Sequence, residues 1–310
     1  MSLLSLLIAL AAEKSLSSSL WRFDYYYQKY ASLFQRNKNS STFKGSTLSY
    51  TIFLLLPVAL LHGLLLFVGD GLLHFIISTF VLIVCFGCFT TRHSYKQYLH
   101  AAFRGEETTS ELFHQQLLQD KNLPKMGFGQ ALIWLNYRYY IAIMLFFTIF
   151  GAAGVVFYRL LTTLIEQQNG CSIAKSEQEA SNNHLEKIAP ENHEEKSVDD
   201  EEEKESISSG CKSYHEILFY LDWLPVRITS FGYMFVGHFS KALPIWLESF
   251  FDFKKPTHEI LTDVAQKSED IMVDVEDCTA EPCLLVRLSK RNVLLLLASI
   301  ATLTLFGVIQ

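Results

Sequence analysis

Apolar and polar residues fall along this chain in long blocks, and the blocks define its elements. Leu3 to Ala12 is apolar but shorter than the about 20 residues a crossing needs. It predicts a short helix that dips into a membrane or packs within it, closed by Glu13. From Ser17 to Lys38 the residues Leu20, Phe23, Tyr27, Tyr30 and Phe34 recur at three- and four-residue steps, with Arg22, Lys29 and Arg36 on another face. That pattern fits an interfacial helix on an anionic leaflet, or an amphipathic helix packed on a neighbouring domain. Segment 1–47 therefore holds a short membrane helix and an amphipathic one. Segment 48–89 predicts a transmembrane hairpin, turning at Gly69-Asp-Gly71. Segment 90–130 is polar, helical and cytoplasmic, broken by Pro124, Gly127 and Gly129. The apolar run 131–165 predicts one long transmembrane helix whose Gly151 and Gly154 let neighbours approach closely.

Segment 166–212 changes character: acids far outnumber lysines and bulky apolar residues are few. Such a stretch cannot bury enough surface to offset ordering entropy, so it predicts a disordered acidic loop. Segment 213–252 mixes ionisable groups with aromatics and contains Pro225 and Pro244, which predicts proline-broken, membrane-associated helices. A soluble segment (253–291) and a C-terminal transmembrane helix (292–310) complete the chain. The fold class is all-α: a multi-pass transmembrane helical protein with short or re-entrant helices and a disordered acidic loop.

The formal charge of −6 comes mostly from 166–212, and no basic run suited to nucleic acid is present. Cations are dense before Leu48, across 90–140 and again from Lys254 to Arg291, which places all three segments on the cytoplasmic side. If 131–165 crosses once, 213–252 must cross back or re-enter, with Ile228 to Phe239 as its most apolar part. The six cysteines fit no disulfide framework and no zinc pattern. Cys171 and Cys211 bracket the acidic loop and can pair only if it faces an oxidising compartment. Phosphate loops, nucleophile elbows and zinc-protease signatures are absent, so no cofactor, metal or catalytic residue is expected.

Candidate chemistry concentrates between His215 and Asp252. Ionisable groups at membrane depth are costly unless paired or facing a wet cavity, which makes them functional candidates. Within Leu221–Arg227, Pro225 suits a first helical turn, so Asp222 would end one helix and Arg227 begin the next, within bridging reach. The pair is either an architectural ion pair or part of an anion site in which Arg227 presents its donor fork. His238, Lys241 and Pro244 follow, and Asn136 and Arg138 join if their helix packs alongside.

The segments ALIWLNYRYY (131–140), LDWLPVRI (221–228) and GHFSKALPIW (237–246) resemble the AmpE family, inner-membrane modulators of β-lactamase induction in Gram-negative bacteria. The similarity extends to Glu13, Trp21, Asp24, Tyr98-Leu99, the 151–159 run and the terminal span, leaving 166–212 as an insertion. AmpE proteins are in turn similar to the CobD/CbiB enzymes of cobalamin biosynthesis, through Gly151-x-x-Gly154, Tyr158-Arg159 and Pro225-x-Arg227. Those enzymes carry an acidic, Asn-rich motif and an Asn-Thr-Leu-Asp run; this chain has Trp134-Leu-Asn136-Tyr-Arg138 and Thr162-Thr-Leu-Ile165 instead. The resemblance thus implies a non-enzymatic regulator in the bacterial inner membrane, with an adenosylcobinamide-phosphate synthase as the alternative. Its implied partners are the lipid bilayer, an anionic cell-wall metabolite or nucleotide, and a functional link to the anhydromuramyl-peptide amidase AmpD. The combined candidate site comprises Trp134, Asn136, Arg138, Arg159, Asp222, Trp223, Pro225, Arg227, His238, Lys241 and Pro244, with Glu13 and Asp24 secondary.

Overall fold

The computed structural model describes residues 2–15, 21–37, 47–69, 71–87, 89–185, 199–269 and 279–308, and the regular elements among them are helices. They are α1 (Ser2–Ser15), α2 (Phe23–Asn37), α3 (Thr47–Val68), α4 (Leu72–Cys85), α5 (Phe89–Phe103), α6 (Glu107–Asp120) and α7 (Phe128–Asn136). A π-helical turn, Tyr137–Ile141, then leads into α8 (Ala142–Leu185), followed by α9 (Asp199–Val236), α10 (Phe239–Phe250), α11 (Thr257–Ser268) and α12 (Ala280–Leu305).

The centre of the molecule is the apolar run that begins with α7. As one straight helix, 131–165 would be about 50 Å long, well beyond the about 30 Å of a hydrocarbon core. It folds back instead. Gly151 adopts φ 67° and ψ −162°, a conformation open almost only to glycine. Across the resulting hairpin the Phe146 and Tyr158 rings stack with centroids 4.6 Å apart. Nearer its open end, Arg138 lies 3.3 Å from Glu166, where a straight helix would separate them by about 42 Å. The run expected as a single crossing is therefore two antiparallel arms, and the inferred need for 213–252 to carry the chain back disappears. Around the hairpin pack α3, α4 and α9, while α12 lies on α7 and α9, α11 on α9, and α5 pairs with α6.

Three helical stretches among the described residues are long and apolar enough to cross a membrane: Thr51–Val68, Leu72–Phe103 and Phe128–Gln167. The third contains the turn at Gly151. The second breaks at Gly87 (φ 75°), where the Glu13 side chain packs against the glycine in space a Cβ would fill. Glu13 also accepts from Tyr140 Oη at 2.7 Å and pairs with Arg92 at 2.9 Å, so α1 is pinned at this break. Only the first stretch is unbroken, and it presents Leu55, Leu60 and Leu64 outward, as a lipid-facing helix does.

Two further expectations change. α9 passes through Pro225 without ending, and the actual break falls at Gly237–His238. Side chains supply donors to the carbonyls around the proline: Arg227 Nη1 to Trp223 at 3.0 Å and Thr229 Oγ1 to Pro225 at 2.7 Å. Helix also enters the acidic segment from both sides, α8 reaching Leu185 and α9 starting at Asp199. The rest of that segment, 186–198, and the side chains of Cys171 and Cys211 lie outside the described residues.

Candidate functional site

The Gly127 amide donates to Gln130 Oε1 at 3.0 Å, satisfying one of the bare amides at the start of α7. Ten residues after Gly127 the π turn Tyr137–Ile141 widens the helix, a distortion frequent at functional sites. Four consecutive side chains then reach three different carboxylates. Tyr137 donates to Asp222 and Arg138 to Glu166, while Tyr139 meets Glu166 and Lys121, and Tyr140 reaches Glu13. The turn also docks on the α4 break, since the Gly87 amide donates to the Tyr139 carbonyl at 3.2 Å.

Between the hairpin, α9 and the start of α11 lies a cavity of about 560 Å³. Arg138, only 8% exposed, forms part of its wall with its guanidinium over the Trp134 ring at 5.1 Å. Glu166 Oε1 accepts from Arg138 at 3.3 Å, and Glu166 Oε2 lies 3.9 Å from Lys121 Nζ. One internal carboxylate thus serves two cations, and the Arg138 Nε has no hydrogen-bond partner among the described residues. On the other side Asp222, 1% exposed, accepts from Tyr137 Oη at 2.7 Å and Tyr158 Oη at 3.0 Å, both at Oδ1.

Two histidines complete the wall. His258 meets the Trp134 ring edge-on at 6.0 Å, and burial lowers its pKa below the ordinary imidazole value. His215, on the rim, is lowered by burial first and by the Arg138 charge second. Neutral imidazoles beside two cations and an indole face suit a small anion with a flat part. Among the described residues no group of three or more His, Cys, Asp or Glu is arranged to hold a metal ion.

Of the residues singled out from sequence, Trp134, Arg138 and Asp222 come together here. Asn136 sits beside them on the chain but outside the cavity wall, its buried Oδ1 without a hydrogen-bond partner among the described residues. Arg159 is 4% exposed and lies between the Tyr139 ring (4.5 Å) and the Phe23 ring (5.1 Å), tying α2 to the hairpin. Asp24 is exposed in the first turn of α2. Arg227 does not bridge to Asp222; it donates to the carbonyls of Trp223, Ser249, Phe250 and Asp252. Trp223 stacks on Phe253 at 5.3 Å, and Pro225 is buried within α9. His238 stands at the start of α10, facing the Ser268 carbonyl at 3.1 Å, with Lys241 and Pro244 exposed further along that helix. Sequence reasoning missed Lys121, Glu166, His215 and His258, which reach the cavity through the hairpin and the packing of α9 and α11.

Comparison with known proteins gives a consistent answer. A family model described as "Regulatory signalling modulator protein AmpE" matches residues 1–188 and 201–310. The insertion expected over 166–212 therefore shrinks to 189–200. Protein AmpE of Shigella flexneri is 27% identical over 301 residues, covering 93% of this chain and 92% of that protein. No solved structure matches.

Proposed function

The chain belongs to the AmpE family of regulatory signalling modulators, and from that premise we propose that it is a membrane receptor for a small anionic ligand bound in the Arg138 cavity. The observation that carries this reading is the buried Arg138: among the described residues its Nε has no partner and the carboxylate it pairs with, Glu166, is shared with Lys121. Glu166 occupies the cation pair as an internal stand-in, and the ligand's carboxylate or phosphate competes for the same donors. Glu166 also sits where α8 leaves the hairpin and runs on to Leu185, with its backbone carbonyl held by Asn122. Exchange of Glu166 for ligand would thus bias the position of the outgoing helix, a coupling by differential contacts.

In the setting the family resemblance implies, the protein acts from the bacterial inner membrane as a multi-pass, non-catalytic regulator of β-lactamase induction. The ligand is then an anionic cell-wall metabolite or nucleotide, and AmpD is a functional neighbour. The test is complementation of a strain lacking the gene, scored by β-lactam-induced β-lactamase. Arg138→Ala should reach wild-type membrane levels yet leave the induction response as in the empty strain. Wild-type induction by that variant would remove the cavity from the mechanism.

A further inference from the structure

The cavity has two poles, and only the cationic one is accounted for by an anion. Asp222 is a carboxylate 1% exposed, on the cavity wall, with both its tyrosine donors crowded onto Oδ1. Its second oxygen accepts no hydrogen bond from any described residue. Arg138 attracts it across the cavity without contacting it, because Arg138 donates to Glu166. A buried carboxylate with an unused acceptor oxygen is expensive to leave unmet, and a charged donor satisfies it best. We propose that the ligand is a zwitterion, with its anionic group received by Arg138 and Lys121 and its ammonium group by Asp222 Oδ2. The tyrosines fix the carboxylate so that this oxygen faces the ligand, which makes Asp222 the residue that discriminates between anions.

This inference rests on the anion-receptor reading, and the test separates the two. The full chain, purified in lipid nanodiscs, is titrated calorimetrically with phosphorylethanolamine and with ethyl phosphate, which share the anion and differ in the ammonium. Wild-type protein should prefer phosphorylethanolamine on the order of tenfold, the effect of one charge-assisted hydrogen bond. Asp222→Asn keeps an acceptor for both tyrosines and should erase the preference while still binding ethyl phosphate; should it fail to fold, the wild-type preference decides alone. Equal binding of both probes would overturn the zwitterion and leave the anion receptor standing, whereas binding of neither would overturn both. The same chemistry exists in a lipid headgroup and in a free metabolite. Competition by phosphatidylethanolamine nanodiscs, compared with phosphatidylglycerol ones, would assign the zwitterion to a lipid, and its absence to a soluble molecule.

Discussion

Arg227 donates to four carbonyls, and three of them, on Ser249, Phe250 and Asp252, close the C-terminal end of α10. Its guanidinium also lies 4.2 Å over the Trp223 ring. This is a positive side chain satisfying the bare acceptors at a helix end, and it marks Arg227 as architectural. Arg227→Ala should cost about 3 kcal/mol by stranding several buried acceptors. The expected result is a lower melting temperature in detergent and reduced membrane abundance, with induction lost in proportion; Arg227→Lys should restore only part, since one ammonium cannot serve that fork. The sequence marked both Asp222 and Arg227 as unusual but joined them wrongly. On an unbroken helix residues five apart point about 140° away from each other, so the two side chains serve opposite faces of α9. A second expectation concerns His258. Its pKa lies below the ordinary value of about 6.5 because burial favours the neutral ring, so its contribution to stability is complete above that pH and fades as pH falls through it. A bound anion opposes the burial effect and raises the pKa, so binding takes up a proton. Affinity for ethyl phosphate should therefore rise between pH of about 7.5 and about 6, and His258→Gln should flatten that dependence.

Helices carry the next level of explanation, because the cavity exists only where the hairpin closes. Gly151 holds backbone angles that a Cβ tolerates poorly, at a cost of about 1–3 kcal/mol. Gly151→Ala should strain the turn, loosen the Phe146–Tyr158 stack and weaken ligand binding, although the residue touches no part of the cavity; thermal unfolding and calorimetry on the same preparation would show both losses. Unchanged binding would mean that the arms are held together without the turn. The elements themselves were largely readable from periodicity and apolar length. The hairpin was also signalled, since a run of about 50 Å is too long for one crossing and has a glycine near its middle. Read by spacing alone, Gly151 and Gly154 fit close helix packing equally well. The π turn left no comparable trace: Tyr137, Arg138, Tyr139 and Tyr140 look like any aromatic patch until their partners on α1, α8 and α9 are placed. Glu166 was hidden by composition, for it opens the acidic segment and reads as part of it, while its partners Arg138 and Lys121 lie 28 or more residues earlier.

At the scale of the whole molecule, the hairpin bears on whether the two ends of the cavity share one side of a membrane. A straight crossing by 131–165 would put the two ends of the cavity on opposite faces. The observed hairpin returns Glu166 to Arg138 and so keeps the α6–α7 connection, the cavity and the outgoing end of α8 together. Lys121 and Arg138 on the cavity wall belong to the cation-rich 90–140 segment, which the positive-inside tendency would assign to the cytoplasm. Lys125 and Gln167 are both exposed and flank the hairpin. Single cysteines at these positions, introduced into a variant without native cysteines, should both react with a membrane-impermeant maleimide in inverted vesicles and be protected in intact spheroplasts. Labelling of Lys125→Cys from one side and Gln167→Cys from the other would restore the straight crossing and dissolve the cavity with it. If both label from the cytoplasm, the ligand is met and the response is launched on one side. The membrane then anchors the receptor, and the switch need move only the carboxylate of Glu166 and the helix that follows it.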